Sequence, residues 1–443
     1  MPCTLPVRAL RRPCAAALTA LAFAAHAQFG ASSVAGVAGV AGVPPGANPL
    51  TAVEAMALAE RNAPALDARK SAIDAAQALA DSARALPDPK LKLGLDNWPI
   101  ESADKFSTGR DFMTMRRIGI SRDMPREEKR ELRAARHSIE ARREAAMLDD
   151  KRLMVRRDAA LAWVERYYAE SAGRLIDELK REARVQYDVL VGQVRAGRAT
   201  PLDAVGAQSQ LRVLDDRGAE FARLRARAFA QLERWLGVAA GRPLDSWTLT
   251  SASIDRTALA DVHAEHPHIT EFAIAESQAD NEIAQARAQE KGDWGWEVAY
   301  QKRGRQFTDM VSFGIVIDLP VFGEKRIAPE VRARQAQKEA AQRNRDEARR
   351  AHQLEVRLAL TDWDAASARR VNFDDTLLPL ARERIEQAAA TYRGGAGKLA
   401  DVLEARRQWL EVRLAQLQIE QEAARAWAQL QYFIHTPHAA GAK

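Results

Sequence analysis

The residues best suited to chemistry stand in HAEHPH, where His263, His266 and His268 fall within six positions. Imidazoles at that spacing can ligate a divalent cation. The segment occupies the place that AERNAPAL holds earlier in the chain, which carries no histidine. It reads as a surface helix or turn at the start of a repeat, with no metal. Other chemistries lack their groups. Both cysteines, Cys3 and Cys14, lie within the first 27 residues, so once that segment is removed no thiol, disulfide framework or cysteine metal site remains. There is no nucleophile elbow and no phosphate loop. Tryptophans such as Trp98, Trp163 and Trp235 are scattered, as packing or interface residues would be. The expectation is a protein without catalytic residues, metal or cofactor.

The elements that position everything else begin behind an export signal. Arg8, Arg11 and Arg12 precede an apolar run over residues 15–24 and the small-x-small triplet AHA, which marks residues 1–27 as a signal peptide. The apolar run is about half of the ~20 residues that a membrane-spanning helix requires. Cys14 follows Arg-Arg-Pro rather than the small apolar residues of a lipoprotein signal, so lipid attachment is not expected there. Residues 28–49, with AGVAGVAGVPPG, read as a flexible lead-in. The net charge of +6 includes the three arginines of the signal, which leaves +3 on the exported chain. That balance argues against nucleic acid as a partner. No later stretch resembles a membrane-spanning helix, but a β-barrel escapes hydropathy because only alternate residues face lipid.

From residue 50 the chain passes twice through one order of events: helix, strand, strand, long helix, return helix. The first pass covers residues 50–240 and the second 256–434, joined by a linker at 241–255 and followed by a tail at 435–443. A helix over 50–85 stops at LPDP; KLKLGLDNW and FMTMRRIGIS follow as strands; a helix of about 65 residues then runs to RAGRATP. The second pass offers a helix to about residue 289, WGWEVAYQ, MVSFGIVIDL, and a helix of about 65 residues ending at RGGAGK. Gly197 and Gly395, Asp203 and Asp401, and Gln210 and Gln408 all align 198 positions apart. A helix that long spans roughly 100 Å at 1.5 Å per residue and must lie beside others rather than wrap a core. Leu403, Leu410, Leu414, Leu417 and Ala424 form a coiled-coil seam on the last helix. EAAQRNRDEARR is charged nearly all round and reads as a water-facing wall, and Pro379 is expected to kink the second long helix.

In the second pass the strands alternate. Trp294, Trp296, Val298 and Tyr300 share one side of the first, and Val311, Phe313, Ile315 and Ile317 one side of the next, against small or polar residues. Such alternation suits lipid-facing barrel strands, although a globular strand with one buried face reads the same. Arg116 and Arg117 interrupt the pattern in the first pass. Four strands cannot close a barrel, and open edges are not tolerated in lipid, so a membrane role requires several chains to share one barrel.

At this point the chain resembles the TolC-like outer-membrane efflux proteins. The doubled plan covers the whole exported chain, and the family's tip motif, Y-x-x-G-x-x-x-x-x-D-[VL]-[LV]-[DE]-A, reads here YRGGAGKLADVLEA, with VRAGRATPLDAVGA as a looser first copy. ALPDPKLKLGLDNWP and RDFMTMRRIGISRDMP are similar to the heavy-metal branch that serves resistance-nodulation-division pumps. The resemblance implies a mainly α fold with a small β part. A homotrimer would form a 12-stranded β-barrel in the outer membrane of a Gram-negative bacterium, continued by a long α-helical barrel in the periplasm. It implies an exit duct for an inner-membrane pump and a periplasmic adaptor, possible cargoes being heavy-metal cations, with drug efflux and type I secretion as alternatives. By position it implies a periplasmic gate at Asp401 and Glu404, with Asp203 in the first copy, and adaptor docking at Arg195, Gly197, Arg198, Arg393, Gly395 and Lys398. Gly397 departs from the family pattern, in which a basic partner neighbours the gate. A soluble periplasmic coiled-coil protein, such as a pump adaptor, is the competing reading; one hairpin flanked by compact β domains would be expected of an adaptor, against two here.

Overall fold

The computed structural model describes residues 48–101, 103–246, 254, 256, 259 and 266–434. The chain divides into two units, Met1–Gly42 and Val43–Lys443, and all described residues belong to the second. The signal peptide, most of the lead-in, most of the linker, His263 and the C-terminal tail lie outside the described residues.

The described chain runs α1 (Ala52–Asn62), α2 (Pro64–Arg84), β1 (Lys90–Asp96), β2 (Met115–Met124), α3 (Glu127–Arg195) and α4 (Pro201–Leu236). After the linker come α5 (Pro267–Ala288), β3 (Trp294–Lys302), β4 (Met310–Ile317), α6 (Gly323–Asn372), a π turn (Phe373–Leu377), α7 (Leu378–Arg393) and α8 (Leu399–Phe433). Helix α3 has 69 residues, about 100 Å of helix. It packs along α1, α2, α4, α5 and α8, while α6 packs on α5 and α8.

Prolines set several boundaries. The single helix expected over 50–85 is two helices, because Pro64 can open a helix at its first position but cannot donate an N–H within one. Pro267 opens α5 in the same way. Pro379 interrupts the second long helix as expected. Its ring would strike the Asp375 carbonyl one turn earlier, and the helix widens there into i→i+5 bonding, with Leu378 N–H donating to Phe373 O.

The main core lies where α1, α3, α4 and α8 meet around Trp163, 1% exposed, with Leu232, Leu236, Ala424 and Ala428. The Trp163 indole N–H donates to Leu50 O at 2.9 Å, which ties the start of the described chain to α3. Truncating a buried tryptophan such as this costs about 3–5 kcal/mol. Farther along, Leu410 of the α8 seam packs with Leu179 and Leu214. The charged stretch of α6 has no buried residue, and its Arg345 pairs with Glu276 of α5 at 2.5 Å; just before it Lys338 pairs with Asp280 at 2.7 Å and Arg334 with Glu282 at 2.7 Å. One expectation is overturned here: His266 is not a surface residue. It is fully buried, caps α5 by accepting the His268 N–H on Nδ1 at 3.3 Å, and lies 3.0 Å from Tyr432 O through Nε2. Since Nδ1 accepts, Nε2 carries the proton and donates to that carbonyl.

The four strands form one antiparallel sheet in the order β1-β2-β3-β4. Helices α3 to α5 separate β2 from β3 in sequence, yet the two pair over nine residues, from Arg116↔Lys302 to Met124↔Trp294. β3 runs on to Lys302 and β4 ends at Ile317, so the strand ends differ slightly from those expected.

Candidate functional site

Directly opposite residues of an antiparallel ladder lie on one face. The pairs Leu93↔Ile118, Ile118↔Tyr300 and Tyr300↔Val311 therefore carry one face across all four strands, as do Leu91↔Ile120, Ile120↔Val298 and Val298↔Phe313. Every residue expected on the lipid side, Trp294, Trp296, Val298, Tyr300, Val311, Phe313, Ile315 and Ile317, shares that face. Sequence reasoning missed Leu91, Leu93, Leu95, Ile118 and Ile120, though the alternation in KLKLGLD and RRIGIS signalled them. The face is open: Phe313 is 80% and Leu93 72% exposed.

The opposite face is charged and internally paired. Lys92 meets Glu297 at 2.6 Å, Lys90 meets Asp123 at 2.5 Å, and Arg117 lies 3.1 Å from Asp96 and 3.5 Å from Glu297. Arg116 and Arg117, which interrupt the alternation in the sequence, fall on different faces of the sheet. Arg117 belongs to the charged face, while Arg116 stands at the end of the apolar one.

The two helix reversals are built alike. After α3, Ala196 N–H bonds Gly192 O, Gly197 N–H bonds Val194 O and Arg198 N–H bonds Gln193 O at 3.1, 3.0 and 2.8 Å; after α7, Gly394, Gly395 and Ala396 bond Ala390, Tyr392 and Thr391 at 3.0, 3.1 and 3.2 Å. This is the Schellman closure of a helix, which places the residue after the cap in the left-handed region. Gly197 and Gly395 occupy it, with φ of 67° and 77°. Arg195, Gly197, Arg198, Arg393, Gly395 and Lys398 are all exposed on these turns.

The acidic residues have local duties. Asp203 accepts the Thr200 N–H at 2.9 Å and its hydroxyl at 2.7 Å, and Thr200 Oγ1 accepts the Asp203 N–H in return, a capping box that T-x-x-D announces in sequence. Asp401 accepts the Lys398 N–H at 3.1 Å; lysine has no acceptor to reciprocate. Glu404 is held by Arg407 at 2.6 Å and by Gln408 at 2.8 Å. The Thr200 hydroxyl and then its N–H hold the Asp203 carboxyl below its usual range, and Arg407 followed by Gln408 does the same for Glu404. A cleft of about 530 Å³ lies between the turns, lined by Gln193, Arg198, Asp203, Tyr392, Lys398 and Glu404 among others. Thus Asp203 and Glu404 share one cavity, while Asp401 is exposed beside it. Sequence reasoning missed the ties between hairpins: Gln193 Nε2 donates to the Tyr392 hydroxyl at 3.2 Å, and Arg406 pairs with Glu182 at 3.0 Å.

No group of three or more His, Cys, Asp or Glu residues is placed to hold a metal among the described residues, and none of the helices described there is long and apolar enough to cross a membrane. Residues 258–434, the second pass of the chain, match the model of the outer membrane efflux protein family. Among solved structures the chain is similar to the CmeC outer membrane channel of Campylobacter jejuni, with a TM-score of 0.72 at 15% identity over 86% of this chain and 85% of that one. It is also similar to VceC of Vibrio cholerae, with a TM-score of 0.70 at 17% identity over 86% and 96%. CusC shares the fold at 0.72 and 15% identity, over 86% and 91%. At these identities the likeness establishes the fold alone. No curated protein matches the chain.

Proposed function

We propose that three copies of the chain close one barrel and form the passive exit duct of a tripartite efflux system. The observation that carries this reading is the four-stranded sheet itself, apolar over the middle of one face between Arg122 near one end and Arg116 and Lys302 at the other, and among the described residues unpaired at both edges, β1 and β4. In water such a face invites aggregation, and in lipid such edges must be satisfied. Pairing β4 of one copy with β1 of the next meets both demands at once and turns the charged face inward. Twelve strands result, with the helical hairpins continuing below as an α-barrel. The open apolar sheet is what disfavours a soluble coiled-coil protein.

The repeated turns then lie at the periplasmic end, where Arg195, Gly197, Arg198, Arg393, Gly395 and Lys398 meet an adaptor that links the duct to a resistance-nodulation-division pump. Asp401, Glu404 and Asp203, repeated around the axis, form acidic rings that attract cations. Heavy-metal cations are the cargo we favour, on the resemblance of the β1 and β2 segments to the heavy-metal branch. Purification tests the whole: a heat-modifiable trimer that requires detergent and conducts in planar bilayers supports the duct, and a soluble monomer after mild extraction overturns it. Loss of zinc, cobalt or copper tolerance on deletion, against unchanged drug tolerance, tests the cargo.

A further inference from the structure

Arg116 of β2 and Lys302 of β3 are directly paired in the ladder. Alternation sets Arg116 in the row of Ile118 and Ile120, and Lys302 in the row of Val298 and Tyr300. Two cations thus stand side by side at the end of the apolar face, where the strands give way to the β1–β2 and β3–β4 loops. Like charges directly opposite in a ladder destabilise it, so the arrangement calls for an anion.

One carboxylate among the described residues, that of Asp309, feels both charges, and a single negative charge leaves the two cations unbalanced. Neither cation forms an ion pair among those residues; Arg116 gives one N–H to the Arg303 carbonyl at 3.3 Å, and both side chains are exposed. Asp309, on the adjoining loop, is taken by the Tyr300 hydroxyl and by the Arg303 N–H at 3.4 Å. The contrast with the other face is direct, since Arg117, one residue along, is matched by Asp96 and Glu297. Aromatic rings collect at the same margin: Trp98 and Phe106 lie 5.5 Å apart, with Lys105 over the Phe106 ring, as in the interfacial belts of membrane barrels. The long helices leave from the opposite end of the strands, so with those helices in the periplasm this margin faces the outer leaflet.

We propose that Arg116 and Lys302 clamp the phosphate of a phosphorylated lipid headgroup in that leaflet. The proposal rests on the barrel reading above. A planar guanidinium and a mobile ammonium together suit a tetrahedral, doubly charged group that accepts several hydrogen bonds, and the apolar rows behind them receive the acyl chains. The anion belongs to a lipid rather than to free phosphate, because the cations continue the apolar rows of Ile118 and Tyr300.

The test uses the full exported chain, purified as a folded oligomer and exposed in detergent to lipid A, to lipid A stripped of phosphate, or to inorganic phosphate, with bound lipid counted by native mass spectrometry. The wild type should retain the phosphorylated lipid, and Arg116→Gln and Lys302→Gln should each weaken retention about fivefold, while Arg116→Lys keeps most of it. Should Arg116→Gln fail to fold, Lys302→Gln alone decides, since that side chain makes no hydrogen bond among the described residues. Equal retention by the glutamine variants, or of the stripped lipid by the wild type, overturns the clamp, as does displacement by inorganic phosphate at matched concentration. Failure of the wild type to insert into phosphatidylcholine vesicles overturns the barrel reading, and the clamp with it; insertion with unchanged lipid retention overturns the clamp alone.

Discussion

Lys92 of β1 and Glu297 of β3 meet at 2.6 Å although β2 runs between their strands. The strands lie about 10 Å apart, two ladder spacings. The contact forms because Gly119, opposite both Lys92 and Ala299, puts no side chain in its way. A Cβ there would stand 2.9 Å from the Ala299 Cβ and 3.0 Å from the Val298 carbonyl. Gly119→Val should therefore destabilise the sheet by about 1–3 kcal/mol and lower the temperature at which the protein unfolds. Gly94→Ala, whose added carbon meets nothing closer than 3.5 Å, should leave that temperature nearly unchanged.

The turn glycines make a second comparison. Gly395 needs its left-handed φ although nothing crowds it, so Gly395→Ala should cost about 1–2 kcal/mol through backbone strain alone. Gly394, with φ of −73°, should accept alanine without loss. Hydrogen exchange of the neighbouring amides reads the difference, and faster exchange in Gly394→Ala than in Gly395→Ala would contradict it.

For the proposed gate, Asp401→Asn with Glu404→Gln should raise leak or conductance and weaken block by divalent cations. Amide replacements keep the size of each side chain, which matters because Asp401 also holds the start of α8. Single-channel recordings decide; identical conductance and block in the double variant would remove these residues from the gate.

Acid should weaken that block late. A carboxyl held low in the folded state keeps its contribution above its ordinary pKa and loses it only as pH falls through the folded value. With Asp203 and Glu404 both lowered, block by divalent cations should hold from neutral pH to about 4 and decline below. Asp203 is exposed and Glu404 half-exposed, so salt should screen the effect. Decline of the block near pH 6 would count against the assignment.

The ties between hairpins predict a graded opening. Arg406→Gln removes the pair with Glu182, and Gln193→Ala removes the bond to Tyr392. Each should raise the open probability in planar bilayers. Because the two ties lie on different turns of the helices, the double variant should exceed either single one.

Much of the plan was legible because its signals are local. Gly197 and Gly395 mark the reversals, T-x-x-D marks a cap, and alternation marks the strands, all within a few residues of one another. The break at Pro64 was legible too, and its omission from the expected first helix was a failure to weigh one proline. The burial of His266 was not legible. The groups that enclose it, Tyr432 and His352, come from helices far along the chain, and a histidine before a proline looks the same in water or in a core.

By itself the sequence determined the elements, their order and the chemistry of their ends, since spacing, helix period and turn residues act within a single segment. Only the tertiary structure decided which faces became continuous and which charges found partners. Lys92 and Glu297 are 205 positions apart, and only the register of β1 on β2 and of β2 on β3 brings them together. That register turns four short alternating runs into one apolar face, and by the same geometry leaves Arg116 beside Lys302 while Arg117 is paired. Such pairings depend on where backbones lie in space, and no local preference in the chain encodes them.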